Sequence, residues 1–225
     1  MAADEVLVSP VEDGVATVTL NRPEKRNALS IAVRDLVSDA LDALAADERV
    51  QCVVLTGAGD VFCAGFDLAE FRVEDPEFQK RLWASSDRFH RTVLCFPLPL
   101  VASINGPALA GGFDLAVMSD IRLASSTARF AHPEHAWSQV VYGPLEALVG
   151  GGVARDLCFT GRTIDAAEAF RLGLLSTVVE PGELAAATAA TVSSITRAPR
   201  SVLMITKRKA LARAGVDPAS PTLDL

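Results

Sequence analysis

The sequence predicts an α/β fold finished by a helical C-terminal region, on three observations. Short apolar runs, Cys52 to Leu55 and Leu100 to Ile104, have the composition of buried strands. Between them lie longer stretches whose apolar residues recur at helical spacing. The order strand, helix, strand, glycine-bearing loop occurs twice, around residues 51–68 and 100–115, which is the rhythm of strands joined by crossover helices.

The elements follow in order. Glu5-Val6-Leu7-Val8 and Val15 to Leu20 flank the turn-like Glu12-Asp13-Gly14 and form a strand pair. Ser30 N-caps a helix running to about Ala46, with Val33, Leu36, Val37, Ala40, Leu41 and Leu44 on its apolar side. A strand over Cys52–Leu55 ends at Gly57, and a helix from about Glu77 to Cys95 carries Phe78, Leu82, Phe89 and Val93. Leu100 to Ile104 is a strand, Gly111-Gly112 opens a helix over Phe113 to Met118, and Ile121-Arg122-Leu123 begins the next strand. Beyond Leu145 the pattern is helical except for a strand from Leu174 to Val179, with last helices near 184–196 and 200–214. No linker separates independent domains, and no period is exact enough for a repeat protein. The chain divides into a core over residues 1–180 and a helical region over 181–225.

Composition narrows the function. A chain of 225 residues, half of them hydrophobic, buries one substantial core. The 22% charged fraction excludes disordered and collagen-like classes, and no apolar run is long enough to span a bilayer. The acidic start, Met1-Ala2-Ala3-Asp4-Glu5, is unlike a secretory signal. Four cysteines, Cys52, Cys63, Cys95 and Cys158, stand apart with no CxxC pair. Reduced thiols in a cytoplasm are therefore expected, and no metal site. A net charge of −7 argues against nucleic acid. Within that acidic chain Arg22, Lys25 and Arg26 cluster, which reads either as a solvated loop or as a local anion site.

Two glycine-bearing loops follow strands: Val61 to Leu68, containing Gly65, and Asn105 to Asp114, containing Gly111-Gly112. Helix N-termini present unpaired N–H groups, and glycine lets backbone approach a ligand. Two such loops side by side can aim two amides at one oxygen, as a developing oxyanion requires. The same glycines also suit tight packing. Neither loop fits a dinucleotide or Walker-type phosphate motif.

These strings carry a resemblance. Asn21 to Leu29 (NRPEKRNAL) resembles the first coenzyme A-binding loop of the crotonase (enoyl-CoA hydratase/isomerase) superfamily. Phe62 to Leu68 (FCAGFDL) resembles that family's F-x-A-G-x-D-[IL] segment. Ile104 to Gly112 resembles its N-G-x-A-x-G-G-G segment, and Phe130, Pro133 and Glu134 stand where it places F-x-x-P-E. The four motifs cover roughly residues 14–180. The resemblance implies a crotonase-like spiral core of ββα units and oxyanion-hole amides at Phe66 and Gly111. It implies a coenzyme A and acyl path along Ala28, Ala64, Asp67 and Leu68, with Arg22, Lys25 and Arg26 near the nucleotide phosphates.

For hydration of an α,β-unsaturated thioester, one carboxylate must activate water and a proton must reach the α-carbon. The family's two glutamates correspond here to Asp114 and Glu134. Asp114 is shorter by one methylene, which draws its carboxylate back by about 1 Å. Isomerases of the family use mainly the second glutamate. The dienoyl isomerase branch has an aspartate at the first position but also an acid eight residues after Glu134, where this chain has Tyr142. The neighbours His132 and His135 are placed to tune Glu134. The family's P-G-x-G-G-T turn is replaced by Val141-Tyr142-Gly143-Pro144-Leu145-Glu146, and the C-terminal region is shorter than usual, so a more open site or one completed by another subunit is expected.

The resemblance thus implies an enoyl-CoA hydratase, with the isomerase as second choice and a non-catalytic acyl-CoA-binding protein as the alternative. Coenzyme A enters as part of the substrate, no separate cofactor is expected, and the family's assembly is a homotrimer or a dimer of trimers.

Overall fold

The structure, a computed structural model, describes residues 5–217, so residues 1–4 and 218–225 lie outside the described residues. The strand pair at the start forms as β1 (Val6–Val8) and β2 (Val15–Leu20), antiparallel, with Ala16, Val18 and Leu20 turned inward. Alternation in β2 matches a sheet with one covered face. Helix α1 (Ile31–Ala46) begins where Ser30 Oγ accepts from the Val33 amide and buries Val33, Val37, Leu41 and Leu44. Strand β3 (Cys52–Gly57) runs parallel to β2 and is buried along nearly its whole length. Helix α2 (Pro76–Leu94), capped by Asp75, packs Leu82, Phe89 and Val93 inward.

Next come β4 (Leu100–Ile104), β5 (Ala108–Leu109), α3 (Gly111–Met118), β6 (Ile121–Ser125) and β7 (Arg129–Ala131). After them run α4 (Gly143–Val149), α5 (Gly151–Thr160), β8 (Ile164–Asp165), α6 (Ala166–Arg171), β9 (Thr177–Val179), α7 (Leu184–Ile195) and α8 (Arg200–Arg213). Six strands form one sheet in the order β1-β2-β3-β4-β6-β9, all parallel except β1. A smaller sheet, β5-β7-β8, stands beside it.

The small sheet escapes sequence reading because its strands have only two or three residues and draw their order from their neighbours. It is also what positions the site. β5 pairs with β7 in parallel, and β5 runs almost directly into α3 while β7 runs into His132-Pro133-Glu134. The Ala110 amide donates to Ala131 O at 2.9 Å and locks the two exits together. The strand expected over Leu174–Val179 is shorter, at Thr177–Val179. Leu174 and Leu175 are spent on core packing, and Leu174 O accepts from the buried Arg122 Nε at 2.7 Å.

Of the C-terminal helices, α7 packs on the same large sheet. Leu184 and Val192 of α7 join Cys52, Val54, Val101 and Leu123 in a second core cluster. From α8, Lys207 Nζ lies 2.7 Å from both Asp120 oxygens, while Arg200 donates to Val50 O and Ala45 O.

Candidate active site

The two glycine loops meet. Phe62 and Cys63 amides donate to Pro107 O, and the Leu109 amide donates to Cys63 O at 2.9 Å, so the second loop is laced to the first. Gly65 takes φ +94°, and a Cβ there would stand 2.6 Å from Ala110 Cβ and 3.1 Å from the Gly111 nitrogen. A Cβ on Gly111 would stand 2.7 Å from the Phe66 ring. Only glycine fits at either position, and the contact brings the Phe66 and Gly111 backbones together. Among the described residues neither of these two amides donates to a side chain or to a loop carbonyl. Ala110, directly before Gly111, is held at φ 51°, ψ −130°, a region costly for a residue with a side chain.

Phe66 is held from several sides. The Arg34 guanidinium, fully buried, lies 4.3 Å from its ring centroid. Arg34 also donates to Leu29 O and Leu82 O, tying α1 and α2 to the loop. Phe71 stacks on Phe66 at 6.3 Å and His90 at 5.9 Å.

A cavity of about 780 Å³ opens over this contact. Ala64, Phe66, Leu68, Ala110, Gly111, Asp114 and Glu134 line it, together with Phe71, Trp83, His90, Trp137 and Val141. Asp114 sits in the first turn of α3, and Glu134 in the short 3-10 helix over Pro133–Ala136; both are buried. Between them, wholly buried, lies His132. Its Nδ1 stands 3.1 Å from Glu134 Oε1 and 3.6 Å from Asp114 Oδ1. Against a Glu134 carboxylate oxygen, which only accepts, Nδ1 is the atom that carries the hydrogen and donates. His135 instead turns its Nδ1 back to His132 O at 3.0 Å and does not reach the carboxylate.

Burial pushes the Asp114 carboxyl up from its ordinary 3.8 to about 7; His132 pulls it down and Glu134 pushes it further up. Of five buried side-chain atoms without a hydrogen-bond partner among the described residues, three are here: Asp114 Oδ1, His132 Nε2 and Glu134 Oε2. Buried polar groups left open concentrate where chemistry is done. One ligand atom from each of Asp114, His132 and Glu134 falls within 4.8 Å of the others, so these three are also the residues that could hold a metal ion. Next to the amides, the carboxylates can exchange a proton while a nearby oxyanion is stabilised.

The remaining residues singled out from the sequence stand apart from the cavity. Arg22 is largely enclosed: Nε lies 3.1 Å from Glu5, Nη1 3.6 Å from Asp67, and Nη1 donates to Ala28 O. Its charge and that of Asp67 are committed to each other. Lys25 and Arg26 are exposed on the loop. Asn27, which sequence reading passed over, anchors that loop: buried at φ 55°, it donates to Ala58 O and Val61 O and accepts from the Arg22 amide. Its signal was that asparagine tolerates this left-handed turn better than most residues with a side chain. Tyr142 donates to Glu146 Oε1 at 3.1 Å and does not line the cavity.

Comparison with known proteins bears on this arrangement. The profile of the family described as "Enoyl-CoA hydratase/isomerase" matches residues 11–221. The chain is 38% identical over 178 residues to the short-chain-enoyl-CoA hydratase of Clostridium acetobutylicum, covering 77% of this chain and 68% of that one. It is 35% identical over 187 residues to the crotonyl-CoA hydratase of Syntrophomonas wolfei, covering 81% and 72%. The crystal structure of an enoyl-CoA hydratase from Bacillus anthracis superposes with a TM-score of 0.88 at 29% identity, over 95% of this chain and 84% of that one.

Proposed function

Because the chain belongs to the enoyl-CoA hydratase/isomerase family, we propose that it is an enoyl-CoA hydratase whose acid–base machinery is Asp114 and Glu134 and whose oxyanion donors are the Phe66 and Gly111 amides. The observation that carries the reading is that one cavity gathers Phe66, Gly111, Asp114 and Glu134.

Water adds across the double bond in two linked movements. A carboxylate takes a proton from water, whose oxygen bonds to the β-carbon. The π electrons shift toward the thioester carbonyl, and its oxygen gains charge that the two amides hold. The α-carbon then recovers a proton from the carboxyl side. Glu134 is the acid–base group, and Asp114 holds the water. Carboxyl groups this close, one raised to about 7, can hold a proton for exchange at neutral pH. His132 keeps Glu134 oriented through the 3.1 Å contact of its Nδ1. The reaction as written uses no cofactor beyond the coenzyme A of the substrate.

The exposed Lys25 and Arg26 supply the charge for the nucleotide phosphates, with Ala28, Ala64 and Leu68 along the substrate path. Arg22 and Asp67 support that loop through their own ion pair. We place the protein in the cytoplasm as a homotrimer or dimer of trimers. Supporting this, no helix among the described residues is long and apolar enough to cross a membrane, the four cysteines are free, and Val202 and Ile205 of α8 are exposed.

The test is incubation with crotonyl-CoA while following loss of the conjugated enoyl absorbance. Steady turnover to the 3-hydroxy thioester supports the reading. Tight binding without turnover would leave a thioester-binding protein in its place.

A further inference from the structure

One part of the cavity lining is built of rings. Both tryptophans of the chain, Trp83 and Trp137, line it. Each is left open to solvent, at 48% and 59% exposure, although tryptophan gains more from burial than any smaller side chain. Phe71 stands between them, edge-on to Trp83 at 5.9 Å and to Trp137 at 6.1 Å. It also stacks on Phe66 at 6.3 Å, and His90 stacks on Phe66 in turn at 5.9 Å. A continuous row of flat side chains therefore runs from Phe66, through Phe71, to the solvent-exposed Trp83 and Trp137.

Helix α2 supplies one wall. Trp83, Ser86, Asp87 and His90 follow one another at helical spacing, so the same face that offers a ring also offers polar groups. A saturated chain laid along this wall would strip water from those groups and return nothing. An aromatic ring differs: its faces match the rings of Phe71, Trp83 and Trp137, and its edge carries partial positive charge that polar oxygens accept. Two half-exposed tryptophans lining one cavity on either side of Phe71 have the character of a ligand groove.

We propose that the cavity selects acyl thioesters whose acyl group ends in an aromatic ring, as in a 3-aryl-2-enoyl thioester. In such a substrate the ring is joined to the carbon that accepts water. With the thioester oxygen at Phe66 and Gly111, the ring enters the row formed by Phe71, Trp83 and Trp137. The inference rests on the thioester reading above and narrows it to the acyl group.

Saturated thioesters, which are not hydrated, separate binding from turnover. Calorimetry compares 3-phenylpropanoyl-CoA with butanoyl-CoA and with nonanoyl-CoA, which matches the aryl acyl group in carbon number. The aryl thioester is expected to bind about tenfold tighter than butanoyl-CoA and about threefold tighter than nonanoyl-CoA, the scale of one well-packed ring. In Trp83→Ala/Trp137→Ala the aryl-to-butanoyl ratio is expected to fall to about threefold or less. Equal affinity for aryl and butanoyl thioesters, tighter nonanoyl binding, or an unchanged ratio in the double variant overturns the proposal. Each single variant, expected to lower the ratio in part, serves if the double variant does not fold. Turnover of crotonyl-CoA without aryl preference overturns this inference alone. Failure of all three thioesters to bind overturns the thioester reading as well.

Discussion

At the scale of residues, Asp114 carries the sharpest consequence. Its carboxyl is raised from 3.8 to about 7, mainly by burial. Between those values the unfolded chain has released a proton that the folded protein keeps, so this residue's contribution to stability falls as pH rises from about 4 to about 7. Asparagine has no proton to lose. The stability of Asp114→Asn relative to the native chain should therefore climb across that window and level off above it, by roughly 4 kcal/mol at most. Urea unfolding of both proteins at several pH values measures it, and a difference that stays flat from pH 4 to 8 contradicts it. How much of the site was legible varied by residue. Glu134 was readable because Phe130 and Pro133 precede it at the spacing of the resembled motif, and Asp114 because it stands where that family has its first glutamate. His132 was visible only as a neighbour of Glu134; that it touches both carboxylates depends on how α3 and the exit of β7 come together, which no local pattern encodes. Arg22 was legible as a positive charge but not as one already paired with Glu5 and Asp67, since its partners come from distant segments.

At the scale of elements, the two loops work because backbones touch where side chains would intervene. Gly111→Ala places a methyl 2.7 Å from the Phe66 ring, which must then move and take its amide with it. We expect kcat to fall by at least about a hundredfold, the size of losing one oxyanion donor, with the circular dichroism of a folded protein. Unchanged kcat would remove this contact from the mechanism. Ala110 poses the opposite case. Glycine accepts its φ of 51° without the cost of a Cβ, so Ala110→Gly should raise the urea midpoint by the equivalent of about 1 kcal/mol, and a lower midpoint contradicts the reading. The long elements were legible because helix caps and apolar periodicity are local: Ser30 caps α1, and β3 and β4 are unbroken apolar runs. The small sheet was not, because Ala108–Leu109 and Ile164–Asp165 are too short for any period and become strands only through β7.

At the scale of the whole molecule, α7 covers part of the large sheet while α8 leaves Val202 and Ile205 bare. Beside α8 lies a second cavity of about 770 Å³, lined by Cys95, Met204, Ile205 and Leu211 among others. Sedimentation at micromolar concentration should show an assembly of three or six chains, and a monomer at that concentration contradicts the proposed trimer. The central claim concerns chemistry at Glu134, and one comparison tests it most directly: kcat for hydration of crotonyl-CoA by the native protein and by Glu134→Gln. Glutamine keeps the shape and much of the hydrogen bonding but cannot exchange the proton. The account predicts turnover by the native chain and a loss of at least about a hundredfold in the variant, with thioester binding largely retained. Full activity in Glu134→Gln would contradict it and move the acid–base role to another residue.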